Sequence, residues 1–144
     1  MARSTLLAFL AGAIAVALFH QGTVFLLHHN FDLLRAIGVP AAFRPPGAGY
    51  SFAATRPLGV PQIVSLMFWG GLWGILLAWV TRRAPDLLAG FLFGAIACTL
   101  VALTLVPHLR GAPMWGGNPV TWTRAVLLHG AWGWGTALLL RFFR

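Results

Sequence analysis

The residues of this chain with the most chemistry in them are its histidines, and they sit where an apolar sequence has least use for them. His20 and Gln21 lie well inside the oily segment ALFHQGTVFLLHHN. His28 and His29 close that segment, His108 follows Pro107, and His129 opens the run His129-Gly130-Ala131-Trp132-Gly133-Trp134-Gly135. Imidazole titrates near neutral pH and is the usual nitrogen ligand of metals and haem. Three chemistries fit these positions. His20 and His129 are candidate cofactor ligands, either as the axial pair of a b-type haem or as holders of a metal ion. Alternatively, the six residues His20, Gln21, His28, His29, His108 and His129 form a proton or small-solute path, with the last histidines of the first segment and His108 as its entrance. In the plainest case neutral imidazoles and Gln21 hydrogen-bond between helices, which contributes about 0.6 kcal/mol on average inside a membrane; no cofactor is then needed.

Hydrolytic chemistry is not expected. The chain has no glutamate, its two aspartates, Asp32 and Asp86, fall outside the apolar stretches, and no G-x-S-x-G is present. Nor is there a Walker loop or a dinucleotide fingerprint. No residue is therefore assigned a catalytic role, and the expectation is that the protein is not an enzyme.

The elements that must position these side chains follow from composition. Of 144 residues 59% are hydrophobic and 8% charged, against roughly 25% charged in a soluble domain, so lipid is the main solvent. Four apolar stretches, at about 5–28, 62–81, 87–107 and 120–141, each approach the roughly 20 residues that cross a hydrocarbon core. The fold expected is an all-α integral membrane bundle of four transmembrane helices, one domain over 1–144, with a loop over about 29–60. Pro61 and Pro119 are expected in the first turns of the second and fourth helices, and Pro107 at the end of the third. Arg3 ahead of an apolar run, with Ala15 and Ala17 as small residues, also fits a secretory signal peptide. The run continues to Leu27, so a retained helix is expected; removal would leave three.

All ten basic residues are arginines, giving a formal charge of +8. They stand singly or in short clusters between apolar stretches and make no basic stripe, which excludes nucleic acid as the partner. Arg3, Arg82, Arg83, Arg141 and Arg144 flank helix ends in short segments, and that density favours both termini in the cytoplasm. In this topology His20 lies about 5 Å and His129 about 3 Å beyond the midplane on the outer side, at about 1.5 Å per residue, so the two can meet. Thr23 and Thr136 are near enough in depth to extend the group. Lone Cys98 has no disulfide partner and is expected to pack as a small residue.

Within the long loop, Phe31, Leu34 and Ile37 suggest a short interfacial helix stopped by Gly38. Phe43, Tyr50 and Phe52, among glycines and prolines, suggest a cap lying on the bundle mouth. An internal repeat is also legible: Gly12-Ala13-Ile14-Ala15 recurs as Gly94-Ala95-Ile96-Ala97, and Trp73-Gly74 pairs with Trp134-Gly135, as in two parallel-repeated helical hairpins. Small residues four apart (Ala11 and Ala15, Ala13 and Ala17, Gly70 and Gly74, Gly90 and Gly94, Ala131 and Gly135) let helices approach closely, within the chain or against other membrane subunits. Trp79, Trp115 and Trp122 fall near helix ends, where indole suits the headgroup boundary. Trp69, Trp73, Trp132 and Trp134 lie deeper, beside glycines, and are expected to pack.

The ending His129 to Gly135 running into Arg141 and Arg144, on four short Gly/Ala-rich helices, resembles small four-helix bacterial inner-membrane proteins of unassigned function. The resemblance implies an inner-membrane, multi-pass location and carries over no functional residue. Together these readings lead to a non-enzymatic accessory or scaffold subunit, with a transporter or channel and a bis-histidine electron carrier as the alternatives.

Overall fold

A membrane leaves a spanning backbone no water to bond, so the chain must satisfy its polar groups within helices. The computed structural model describes residues 2–81 and 86–143 and is predominantly helical. The first rod consists of α1 (Ala2–Ala15), a π-helical turn (Val16–His20) and α2 (Gln21–His29). A short α3 (Phe31–Ala36) follows, and then a loop with a small antiparallel pair, β1 (Ala54–Thr55) and β2 (Val60–Pro61), in which Ala54 lies opposite Pro61. The second rod is α4 (Gln62–Thr81). The third comprises α5 (Leu87–Phe93), another π turn (Gly94–Cys98), α6 (Thr99–Leu103) and α7 (Leu105–Leu109). The fourth is α8 (Pro119–Phe142), opened by the side chain of Asn118, which accepts the Val120 N–H at 2.9 Å.

Three helical stretches are long and apolar enough to cross a membrane: Ser4–His29, Gln62–Thr81 and Leu87–Leu109. That makes the chain a membrane protein by length and composition. α8 is longer than α4 but is not among the three; Arg124, His129, Arg141 and its glycines, threonines and tryptophans lower its hydropathy. The expected turn at Arg82, Arg83, Ala84 and Pro85 lies outside the described residues, as does Arg144.

Local details depart from the expectations. Pro107 does not end the third helix. The break comes earlier, at Thr104 (φ −117°, ψ −71°), and places Pro107 in the first turn of α7, where its missing N–H is harmless. Pro61 closes β2, so the second helix begins one residue later. The expected short helix forms and Gly38 stops it at φ +97°, yet of its apolar residues only Phe31 is buried, while Ile37 stays 75% exposed. Two of the deeper tryptophans do not pack inside: Trp69 is 58% and Trp134 37% exposed, whereas Trp132 is buried.

The small residues are used within the chain. α1 packs along α4, and α5 with its π turn packs along α8. A side chain on Gly12 would run into the carbonyl of Gly70 and the backbone of Gly74; one on Gly94 would run into the carbonyl of His129 and the backbone of Gly133. Gly74 lies on the Ala8 carbonyl and Gly133 on the Gly90 carbonyl. Gly71 faces the Phe9 ring, and Gly130 faces the Phe91 ring. Each of these contacts in the first pair of rods therefore has its counterpart in the second, with the first-rod numbers raised by 82 (9 to 91, 12 to 94) and the second-rod numbers by 59 (71 to 130, 74 to 133). This register matches Trp73-Gly74 to Trp132-Gly133, which corrects the Trp134-Gly135 pairing suggested by sequence.

The two pairs join unevenly. α1 packs against α8 along one seam, where Leu140 meets Ala8 and Ala11 and where the Trp132 indole N–H donates to the Gly12 carbonyl at 2.9 Å. Along the other seam α4 and α5 scarcely meet.

Candidate functional site

The site is built on the two π turns, each an extra residue inserted into a helical turn, a device that recurs at functional positions. In the first rod the Gln21 N–H reaches back five residues to the Val16 carbonyl, and His20 is the last residue of that turn. The Ala17 carbonyl in the same turn accepts a hydrogen bond from the Tyr50 hydroxyl at 2.9 Å. In the third rod Thr99 is the first residue after the second π turn.

Gln21 is 6% exposed and ties the loop to the site. Its Oε1 accepts the Tyr50 N–H at 2.9 Å, and its Nε2 donates to His20 Nδ1 at 3.1 Å. Tyr50 itself takes a left-handed backbone, φ 51°, rare for a residue with a side chain. Its N–H and hydroxyl, bonded to Gln21 and Ala17, hold it there. Gly49, at φ +83°, brings the loop so close that a Cβ would stand 3.1 Å from the Gln21 carbonyl oxygen.

His129 approaches from α8. Its Nδ1 is hydrogen-bonded to the Thr99 hydroxyl at 2.9 Å, and its ring lies 5.6 Å from that of His20, centre to centre, tilted by 31°. Both imidazoles are therefore engaged at Nδ1. Neither Nε2 has a hydrogen-bond partner among the described residues, and no buried polar side-chain atom there lacks one, so both Nε2 atoms remain accessible. Both rings line a half-enclosed cavity of about 580 Å³ between α4 and the third rod. Trp69 and Trp73 form its α4 wall, Cys98 and Ala102 part of the opposite wall, and Arg110 stands at its loop end.

The other histidines are elsewhere. His28 Nδ1 donates to the Pro45 carbonyl at 3.3 Å, His29 stacks on Phe25 with ring centres 4.0 Å apart, and His108 is exposed; none of the three lines the cavity. Thr23 and Thr136 each bond a carbonyl four residues back in their own helix, Phe19 and Trp132, and do not join the pair. One residue of the hydrogen-bonded group, Thr99, was not singled out from sequence; it is a polar residue inside an apolar run, a signal of the same kind as His20. Tyr50, expected only as part of a cap on the bundle mouth, bonds Gln21 and Ala17 directly.

The loop is pinned over this end of the bundle by Arg124, which donates to the carbonyls of Ala42 at 3.3 Å and Arg44 at 3.2 Å, while the Arg44 guanidinium lies over Phe31. Among the described residues no group of three or more His, Cys, Asp or Glu is placed to hold a metal ion. Comparison of the chain with family models, with curated proteins and with solved structures gives no match.

Proposed function

We propose that the chain is a four-helix, multi-pass protein of a bacterial inner membrane, with cytoplasmic termini and α8 as its fourth span. In this reading it is a non-enzymatic accessory subunit that holds a membrane-soluble molecule beside His20 and His129. The observation that carries the reading is the pairing of two imidazoles, each tied at Nδ1 with Nε2 unbonded, on the wall of one 580 Å³ cavity. Such a volume suits a small organic ligand.

The repeated hairpins support it through their difference. Under the 82- and 59-residue shifts His20 corresponds to Ala102, Gln21 to Leu103, Thr99 to Ala17 and His129 to Gly70. Packing residues recur in both halves, and the polar group occurs once, at the open seam. A scaffold needs only the recurring set.

The alternatives have less support. Gln21 Nε2 can only donate, so His20 Nδ1 accepts and the ring proton sits on Nε2. A ring in that tautomer offers no bare Nε2 to haem iron or a metal, so the pair does not fit axial ligation. A conduction path would draw on His28, His29 and His108, none of which lines the cavity.

The test is an organic extract of protein purified in mild detergent, analysed by mass spectrometry beside an Ala102→Trp variant whose indole fills the cavity. One small molecule per chain, released by the wild type and missing from the variant at unchanged helicity, is the expected result. Identical extracts from both proteins would overturn the reading.

A further inference from the structure

Resting on that reading, we infer that the molecule held in the cavity is a quinone with an apolar tail: its ring lies between the tryptophans and the histidine pair, and its tail leaves between α4 and the third rod. The argument starts from which atoms the site presents. The Tyr50 N–H needs an acceptor, which orients the Gln21 amide with its oxygen toward the loop and its NH₂ toward His20. His20 Nδ1 is thereby an acceptor, and Nε2–H is left as a donor. The Thr99 hydroxyl, able to donate to His129 Nδ1, lets His129 present the same tautomer. Two N–H donors on rings 5.6 Å apart call for an acceptor oxygen, and a neutral one, because the rings that meet it are neutral in this tautomer.

Depth then separates the neutral acceptors available in a membrane. Thr99, whose hydroxyl bonds His129, lies eleven residues before Arg110 on the third rod, about 16 Å at the helical rise. If Arg110 sits at headgroup level, the donors lie about that far inside the hydrocarbon, deeper than the ester carbonyls of a phospholipid, whose headgroup layer is only about 5–7 Å thick. A quinone carries its carbonyl oxygens on a ring that enters the hydrocarbon. The walls suit that ring as well: Trp69, Trp73 and Trp132 give flat apolar faces, and aromatic rings pack against such faces in offset or edge-on geometry. Beyond the edge-on contact of the Trp73 and Phe93 rings, α4 scarcely meets α6 and α7, the stretch that lines the cavity, and this leaves the side opening through which a tail can pass into lipid.

The experiment uses the full chain in nanodiscs of quinone-free phosphatidylcholine, titrated with decylubiquinone and read by quenching of tryptophan fluorescence. Quenching should saturate near one quinone per chain. Replacing one donor, in His129→Leu, or releasing the tautomer of the other, in Gln21→Leu, should weaken binding by about tenfold, the scale of one net hydrogen bond. His129→Gln keeps an N–H donor and should bind within a few-fold of wild type, which guards against misreading a folding defect. Arg110→Gln should bind as wild type does, and oleate should not compete.

Quenching that does not saturate, or that ignores both donor variants, overturns the quinone. Displacement by oleate together with weakening in Arg110→Gln also overturns it, in favour of a fatty-acid carboxylate at the cavity mouth. A ligand found in the wild-type extract but not displaced by decylubiquinone ends the quinone assignment and leaves the cavity reading standing. Absence of both ends both.

Discussion

The indole N–H of Trp132 donates to the backbone carbonyl of Gly12 across the closed seam, at 2.9 Å and with the tryptophan 3% exposed. It links the fourth rod to the first at the level where Gly12 also receives Gly70 and Gly74. Replacing Trp132 by Phe keeps most of the volume and removes the donor. The expected loss in stability is between about 0.6 kcal/mol, the average for such bonds in membranes, and about 1.7 kcal/mol, the largest measured. Unfolding in graded sodium dodecyl sulfate measures it, and an unchanged midpoint would mean the bond adds nothing.

Gly94 presents the tightest approach beside the site, because a side chain there meets the His129 carbonyl. Gly94→Val should force α5 and α8 apart at a cost of about 1–3 kcal/mol. Gly22 is the control: a Cβ there would meet only the Tyr50 hydroxyl at 3.7 Å, an ordinary contact. Gly22→Ala should be neutral or stabilising by up to about 1 kcal/mol, since Ala is the better helix former. Thermal melts of detergent-purified protein, followed by size-exclusion chromatography, separate the two. Equal melts would deny that this crossing is close.

The tautomer of His20 can be read directly. With ¹⁵N-labelled histidine, the His20 signals should show a protonated Nε2 and a bare, hydrogen-bonded Nδ1. Gln21→Leu should mix the two tautomers. Tyr50→Phe removes only the bond to the Ala17 carbonyl and leaves the Tyr50 N–H on Gln21, so the His20 pattern should survive it. A protonated Nδ1 in the wild type would reverse the donor assignment at the site.

Whether α8 spans the membrane is a question of sidedness. In a Cys98→Ala background, single cysteines at Ser4 and Phe143 should be labelled from the same face by an impermeant maleimide, and one at His108 from the opposite face. In intact cells only His108→Cys should react, consistent with cytoplasmic termini. Labelling of Ser4→Cys and Phe143→Cys from opposite faces would leave α8 outside the set of spans.

Much of this architecture is legible along the chain because its causes are local. Apolar runs of about twenty residues, Pro119 behind Asn118, and Gly38 after Ala36 act through solvent, a missing N–H and backbone freedom, none of which requires a distant partner. Depth along the chain allowed His20 and His129 to meet, and the fold brings their rings to 5.6 Å. The rest was decided in three dimensions. The repeat register needed Gly71 on Phe9 and Gly130 on Phe91 to distinguish Trp132-Gly133 from Trp134-Gly135. The π turns follow no residue pattern. The acceptor role of His20 Nδ1 depends on a loop residue 29 positions beyond Gln21, held in a left-handed conformation by contacts that exist only once the loop has folded over the bundle. Sequence determined that the apolar runs call for lipid as solvent and where along those runs the polar residues fall. Tertiary structure decided which seam stays open and which atom of each ring remains unbonded there, because both depend on groups brought together from rods far apart in the chain.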